Sequence, residues 1–278
     1  MTYYLTKSSW YNSLDVPEGM NLDMLNMPGR LDLLLKPAID RTNTDKVFVD
    51  LGCGTGILGL YALSKGAKFV YFVEQNDQMV YILQNILSNK IEPHQFKIIH
   101  KDIESLSKDD FDQYEPEIFV SEFYGPRLFD EGYVNYTKHI RSLFPNCFFI
   151  PSAFSGKFYL GEVDYDQPIW PTDKDLLDHF KFMYKEKGFA KYIKKPHEID
   201  YIGKIYFDAN KQEFHNNIKF TYTLEQDALL FGIMNVEHAD LNQEYTHIGW
   251  FLDKNDYNKK FQLYFDTSNY FNPIKESI

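Results

Sequence analysis

Apolar positions along the chain follow two rhythms, one replacing the other near Pro151. In the first, short β-branched or aromatic runs alternate with segments of helical spacing. VFVDL at Val47 to Leu51 leads into the helical pattern ILGLYALSKG. KFVYFV at Lys68 to Val73 is a second strand with Glu74 at its carboxyl end, and NDQMVYILQNILSN is the next helix. FKIIH at Phe96 to His100 and PEIFVSE at Pro116 to Glu122 complete the series. Such alternation predicts a parallel sheet with its ligands at the carboxyl ends of the strands. Beyond Pro151 the period is two: GKFYLGEV, YIGKIYFDA, NIKFTYTLE, ALLFGIMNVEH, THIGWFLD and KKFQLYFD read as antiparallel strands of a barrel or sandwich. A helical insert is expected at Asp173 to Lys187. The predicted fold is α/β, a Rossmann-like parallel sheet over 47–150 followed by an antiparallel β-barrel or sandwich over 151–278, with a helical segment at 1–46.

Composition narrows the class. The chain has 278 residues, enough for two modest domains, and 44% of them are apolar, enough for a packed core. Its longest apolar runs fall short of the roughly 18 residues that cross a bilayer. MTYYLTKSSW has no basic-then-apolar signal pattern. A soluble, cytoplasmic protein with no membrane partner is expected. Cys53 and Cys147 are too few for a disulfide framework or a four-ligand zinc site, so no metal is expected. A formal net charge of -11 argues against a nonspecific grip on nucleic acid and favours a basic partner. The basic cluster KYIKK at Lys191 to Lys195 reads as a solvated loop.

The first strand ends in Asp50 and Leu51 and runs into Gly52, Gly54 and Gly56. Glycines at alternate positions tolerate positive φ and let a nucleoside-bearing ligand approach the backbone. Two cofactors fit. Gly54, Gly56 and Gly59 satisfy GxGxxG, and Glu74 stands where a dinucleotide enzyme keeps its ribose-binding acid, which makes NAD a rival. Asp50 weakens it, because a carboxylate beside the loop repels a pyrophosphate and attracts the ammonium of an amino acid. S-adenosyl-L-methionine, with an amino-acid end and no phosphate, suits the loop better. At this point the sequence resembles motif I of the class I methyltransferases. Cys53 reads as a small packing residue of the loop.

Asp50, Glu74, Asp102 and Glu122 all fall at or just after strand ends, which gathers four acids on one rim. After the fourth strand comes SEFYGPRLFDEGY, with Glu122 and Glu131 nine residues apart around Gly125. This stretch resembles the double-E loop of the protein arginine methyltransferases, in which two glutamates clasp the substrate guanidinium. Met24, Leu25 and Arg30 in DMLNMPGR are similar to that family's Met-Leu-(four residues)-Arg helix. Tyr245, Thr246 and His247 look like the start of its THW loop. The four motifs stand in the family's order from Met24 to Trp250.

The resemblance implies the remaining roles. Segment 1–46 completes the cofactor site, with Arg30 on the cofactor carboxylate and Met24 near the sulfonium. Gly52, Cys53, Gly54, Gly56, Ile57 and Leu58 wrap the methionine end, and Glu74 accepts both ribose hydroxyls with Gln75 beside it. Asp102, Ile103 and Glu104 line the adenine. Glu122, Glu131 and His247 carry the chemistry, and S-adenosyl-L-homocysteine is the product. An arginine-containing protein or peptide is the implied acceptor; a small amine, or an inactive binding subunit of the same fold, are the alternatives. A homodimer is implied by the family alone, since residues 164–197 occupy the place of its dimerisation arm with an unmatched sequence. The sequence also departs from the family's pattern: Ile248 replaces the THW tryptophan, with Trp250 two residues on, Arg127 lies inside the double-E loop, and Tyr133 stands where a methionine near the transferring methyl is usual, which would reshape the pocket there.

Overall fold

The computed structural model describes residues 31–32, 34–42, 45–122, 132–162, 200–216, 220–222, 228–252, 261–265 and 273–277. Strands β1 (Val47–Leu51), β2 (Phe69–Glu74), β3 (Phe96–His100), β4 (Ile118–Ser121) and β5 (Phe148–Ile150) form one parallel sheet in the order β3-β2-β1-β4-β5. Every residue of β1, β2 and β4 is buried. Near-continuous apolar runs such as FVYFV belong to strands covered on both faces, which is why these segments do not alternate. The chain runs outward from β1 to β3 and returns on the other side at β4, so the order reverses between β1 and β4, the place where open α/β sheets hold their ligands.

Among the helices are α1 (Leu35–Asp40), α2 (Ile57–Ser64), α3 (Asp77–Ser88) and α4 (Tyr133–Leu143). Asn76 starts α3 as an N-cap, its side chain accepting from the backbone N–H of Gln78 at 2.9 Å and Met79 at 3.1 Å. Met79, Val80, Leu83 and Leu87 give that helix its buried face. The helical insert expected at Asp173 to Lys187 lies outside the described residues.

Past the first sheet, β6 (Ala153–Glu162), β7 (Asp200–Asp208), β8 (Glu213–Asn216), β10 (Ala228–His238) and β11 (Leu241–Leu252) make an antiparallel sheet ordered β11-β10-β6-β7-β8. Three short strands, β9 (Phe220–Tyr222), β12 (Phe261–Phe265) and β13 (Pro273–Ser277), form a smaller one. β5, β8 and β13 are additions to the pattern expected from sequence, and β11 begins five residues earlier than THIGWFLD suggests. The turn that starts it, Ala239 and Asp240, lacks a glycine signal, and Ala239 takes φ 53° itself.

One buried cluster spans both halves. Phe48, Phe72, Phe119 and Phe149 fill the first, and Phe154, Phe158 and Phe207 the second. Tyr133 joins them: its ring meets Phe154 edge-on at 4.4 Å, and its hydroxyl donates to the Pro151 carbonyl at 2.7 Å. This corrects the expectation for Tyr133. Gly132, at φ 85°, is the N-cap of α4, which starts at Tyr133, whose ring is fully buried in the seam between the two halves.

Candidate cofactor and acceptor site

Register fixes the site before any side chain is considered. Leu51 of β1 pairs with Val73 of β2 on one side and Ser121 of β4 on the other. The next residues are Glu74, Gly52 and Glu122, so two glutamates flank the first glycine at one level across three adjacent strands. With strands about 4.8 Å apart, the two glutamate backbones stand roughly 10 Å apart. Glu74 pairs in turn with His100 of β3, and Asp102 follows two residues later.

The loop turns through Gly52, Gly54 and Gly56 at φ 59°, 51° and 78°. L side chains rarely adopt these values, and this accounts for the alternate-glycine spacing. Cys53 N donates to Val73 O at 2.9 Å and Gly56 N to Cys53 O at 2.7 Å. Cys53 is buried, and burial, with the charges of Asp50 and Glu74 adding, pushes its thiol well above its ordinary pKa, so it serves as packing.

Glu74 is 9% exposed and bonded to the loop. Its Oε2 accepts from Gly54 N at 2.8 Å, and its Oε1 accepts from Gln75 N and Asn76 N, each at 2.9 Å. Asp50 is 2% exposed, and its Oδ2 accepts from Gly59 N, the third amide of α2, at 2.8 Å. The carboxylate thereby satisfies an orphan donor of the helix start and faces the positive end of its dipole. The expectation that Asp50 meets a ligand ammonium is refined: one oxygen is already engaged inside. The amides of Gly54, Gly56 and Gly59 are engaged within the fold, which leaves fewer donors for a pyrophosphate.

Burial, reinforced by the Glu74 charge, lifts the Asp50 carboxyl well above the usual carboxylate range, while the Gly59 N–H pulls it back. The folded chain thus holds this proton more tightly than the unfolded chain. The stabilising contribution is full below the ordinary aspartate value and is lost as pH rises through the folded one. Asp50→Asn removes the effect. Urea unfolding from about pH 4 to 7 should show the variant gaining on wild type as pH rises; a flat difference would mean that Asp50 ionises in the fold without penalty.

Of the other expected residues, Leu58 and Ile103 are packed in the core, while Ile57 at the start of α2 is exposed. Asp102 Oδ1 accepts from Glu104 N at 2.7 Å, shaping the turn after β3, and Glu104 is exposed. Gln75 is exposed as well, and its carbonyl lies 3.2 Å from His100 Nε2, which also lies 3.1 Å from Asp77. His100 belongs to this rim but does not stand out in the sequence, because it follows an ordinary apolar strand run. Glu122 is half-buried at the end of β4. His247 is on β11, paired with Ile233 of β10. Just before it the register shifts: Met234 pairs with Thr246 and Asn235 with Glu244, leaving Tyr245 as the extra residue of a β-bulge. Bulges bend a strand and interrupt its ladder, and this one opens the Tyr245-Thr246-His247 motif. Met24, Arg30, Arg127 and Glu131 lie outside the described residues.

A parallel sheet with a glycine loop at its switch point, continued by an antiparallel barrel-type sheet, defines the fold class: a Rossmann-like α/β unit followed by a β-barrel-type unit. Comparison with known proteins then points to one group. Residues 35–120 match the family described as Conserved hypothetical protein 95. The histone-arginine methyltransferase CARMER of Drosophila persimilis is 28% identical over 216 residues, 77% of this chain and 36% of that protein. CARMER of Drosophila mojavensis is 29% identical over 132 residues, 48% of this chain and 23% of that protein. The chain therefore spans about a third or less of the length of these curated relatives.

Solved structures give the same fold. PRMT6 with SAH has a TM-score of 0.61 at 13% identity, covering 94% of this chain and 100% of that one. The Trypanosoma brucei PRMT1 enzyme-prozyme complex with AdoHcy has 0.53 at 19%, covering 94% and 84%. Arabidopsis thaliana protein arginine methyltransferase 10 has 0.52 at 16%, covering 94% and 96%. In sequence and in fold the chain is similar to the protein arginine methyltransferases.

Among the described residues no helix is long and apolar enough to cross a membrane.

Proposed function

We propose that this chain is an S-adenosyl-L-methionine-dependent N-methyltransferase that acts on the guanidino group of arginine in a basic protein or peptide. The observation that supports it most is the shared level of Glu74, Gly52 and Glu122 at the switch point: a cofactor site and a carboxylate for a cation, one strand apart. Residues 47–150 are the cofactor-binding unit in this reading and 151–278 the acceptor side. Segment 1–46 adds Met24 and Arg30.

The donor set suits the cofactor. No cation lies in the loop from Asp50 to Leu58, and Glu74 places negative charge beside a ligand that carries an ammonium and no phosphate. Glu74 holds the ribose. Three backbone amides already fill its two oxygens to all but one lone pair, on Oε2, so accepting both ribose hydroxyls requires one of those amides to yield. Glu74→Ala should raise the Kd for S-adenosylhomocysteine by roughly ten- to a hundredfold, the size of a hydrogen bond to a charged group, measured by calorimetry. An unchanged Kd would remove Glu74 from the site.

When bound, the cofactor supplies an electrophilic methyl on a sulfonium. The chain's own residues supply position and charge. A guanidinium is protonated at ordinary pH and its electrons are spread over three nitrogens, which makes it a poor nucleophile. Glu122 and Glu131 accept hydrogen bonds from it, fix its plane, and hold positive charge on the nitrogens that do not react. The third nitrogen is then aimed along the sulfur–methyl axis, an alignment worth up to roughly 7–11 kcal/mol. The proton that the reacting nitrogen gives up would pass to a glutamate or, through water, toward His247.

The net charge of -11 draws a basic acceptor to a cytoplasmic enzyme of this kind. Self-association is part of the same reading, supported by the family resemblance, and light scattering checks it. The activity itself is tested by incubation with methyl-labelled cofactor and either Arg-rich proteins or free small amines, the label being located by mass spectrometry. Label on arginine side chains supports the proposal; label only on the small amines overturns it.

A further inference from the structure

We propose that Arg141 is a positioning residue that locks the angle between the cofactor sheet and the β-rich half, and so sets the separation of Glu122 from the β11 segment bearing His247. Its guanidinium spans two parts of the chain. Nη1 donates to Pro145 O at 2.8 Å and Cys147 O at 2.6 Å, just before β5. Nη2 donates to Ala209 O at 3.3 Å and Asn210 O at 3.0 Å, in the turn between β7 and β8. The same guanidinium lies 5.2 Å from the centre of the Phe149 ring. One planar fork thus holds four carbonyls, two just before β5 and two in the turn between β7 and β8, a geometry that a lysine, with donors radiating from a single point, does not reproduce.

The turn it grips is rigid. Asp208 Oδ1 accepts from Asn210 N at 2.9 Å and Lys211 N at 3.0 Å, and Gln212 Nε2 donates to Ala209 O at 2.6 Å. Asn210 then reaches across to β5, the edge strand of the parallel sheet, where its Oδ1 accepts from Phe149 N at 2.8 Å. On the other flank, the short link through Ser152 is pinned by Ser152 N to Glu237 O at 3.0 Å and Ala209 N to Ser152 O at 2.8 Å. Two lines of hydrogen bonds therefore cross the seam. The Arg41–Asp240 ion pair near it is exposed and adds little.

The kinetic arm of this inference rests on the proposed methyl transfer; the geometric arm does not. Spin labels at Gln84→Cys on α3 and Lys204→Cys on β7, both exposed positions, report the distance between the halves, while Cys53 and Cys147 are buried. Arg141→Ala should broaden the distance distribution and shift its mean, with Arg141→Lys intermediate. The kcat for arginine methylation should fall roughly ten- to a hundredfold, as a displacement near 1 Å predicts, with the Kd for S-adenosylhomocysteine unchanged. If Arg141→Ala does not fold, Arg141→Lys and Asn210→Ala carry the same measurements. A distribution as narrow and centred as wild type in the folded variants overturns the proposal, even where activity is lost. A wild-type protein that methylates no arginine overturns the proposed function and leaves the distances to decide the clasp.

Discussion

In the proposed methyl transfer, Glu122→Gln should lower kcat by roughly 10²- to 10³-fold, the loss expected when one preorganised charge partner is removed. The Kd for S-adenosylhomocysteine stays within about twofold of wild type. The split follows from position. Glu122 continues β4 one residue past the Ser121–Leu51 pair, on the far side of Gly52 from Glu74. It is thus a neighbour of the loop but makes none of the four carboxylate–amide bonds around it, which belong to Glu74 and Asp50. A neutral amide of the same shape keeps one acceptor oxygen and loses the charge that holds a guanidinium in its fork. Single-turnover kinetics beside calorimetry separates the two effects. A Glu122→Gln enzyme with full kcat would end the carboxylate clamp as an account of this site.

Gly59→Ala destabilises the fold by about 1.5–5 kcal/mol, despite the roughly 1 kcal/mol by which alanine favours a helix. A Cβ at 59 would stand 2.3 Å from Phe72 Cε1, 2.8 Å from Phe72 Cζ and 2.9 Å from Val70 Cγ1. Neither neighbour can withdraw, because Phe72 and Val70 are fully buried in β2. Overpacking of this kind costs about 1–3 kcal/mol. The only relief is for α2 to lift away, which breaks the Gly59–Asp50 bond and leaves a buried carboxylate without its donor, a further loss of about 1.5–3 kcal/mol. Steric and electrostatic losses together exceed the propensity gain. Urea denaturation measures the difference, and a change under about 1 kcal/mol would mean that α2 sits further from the sheet than these contacts require.

What could be read from the sequence was what local chemistry dictates. Alternate glycines after an apolar strand locate the loop, because only that residue type takes three positive φ values within five positions. Glu74 stands out as an acid closing an apolar run, and the bounds of β10 match ALLFGIMNVEH because Ala228 to Met234 form a long run without a polar residue. β5 and β8 were missed for the opposite reason. Three residues, FFI, or a polar EFHN on a sheet edge carry too few positions to show a period. Arg141 was unreadable, since its partners are backbone carbonyls that any residue could supply. Likewise Asp50 reads as a charge facing a ligand; that one of its oxygens is already bonded to Gly59 N emerges only when the first turn of α2 is laid beside β1.

Because one buried cluster holds described residues from Leu34 to Val236, crossing from helix and parallel sheet into β6, β7 and β10, the two halves share one cooperative unit of stability. Binding at the glycine loop is therefore felt as slower opening throughout that cluster. Amide protons on β6 and β10 gain protection from solvent exchange that no ligand atom reaches, and the free energy of holding a nucleoside is spread across the sheet that would present the acceptor.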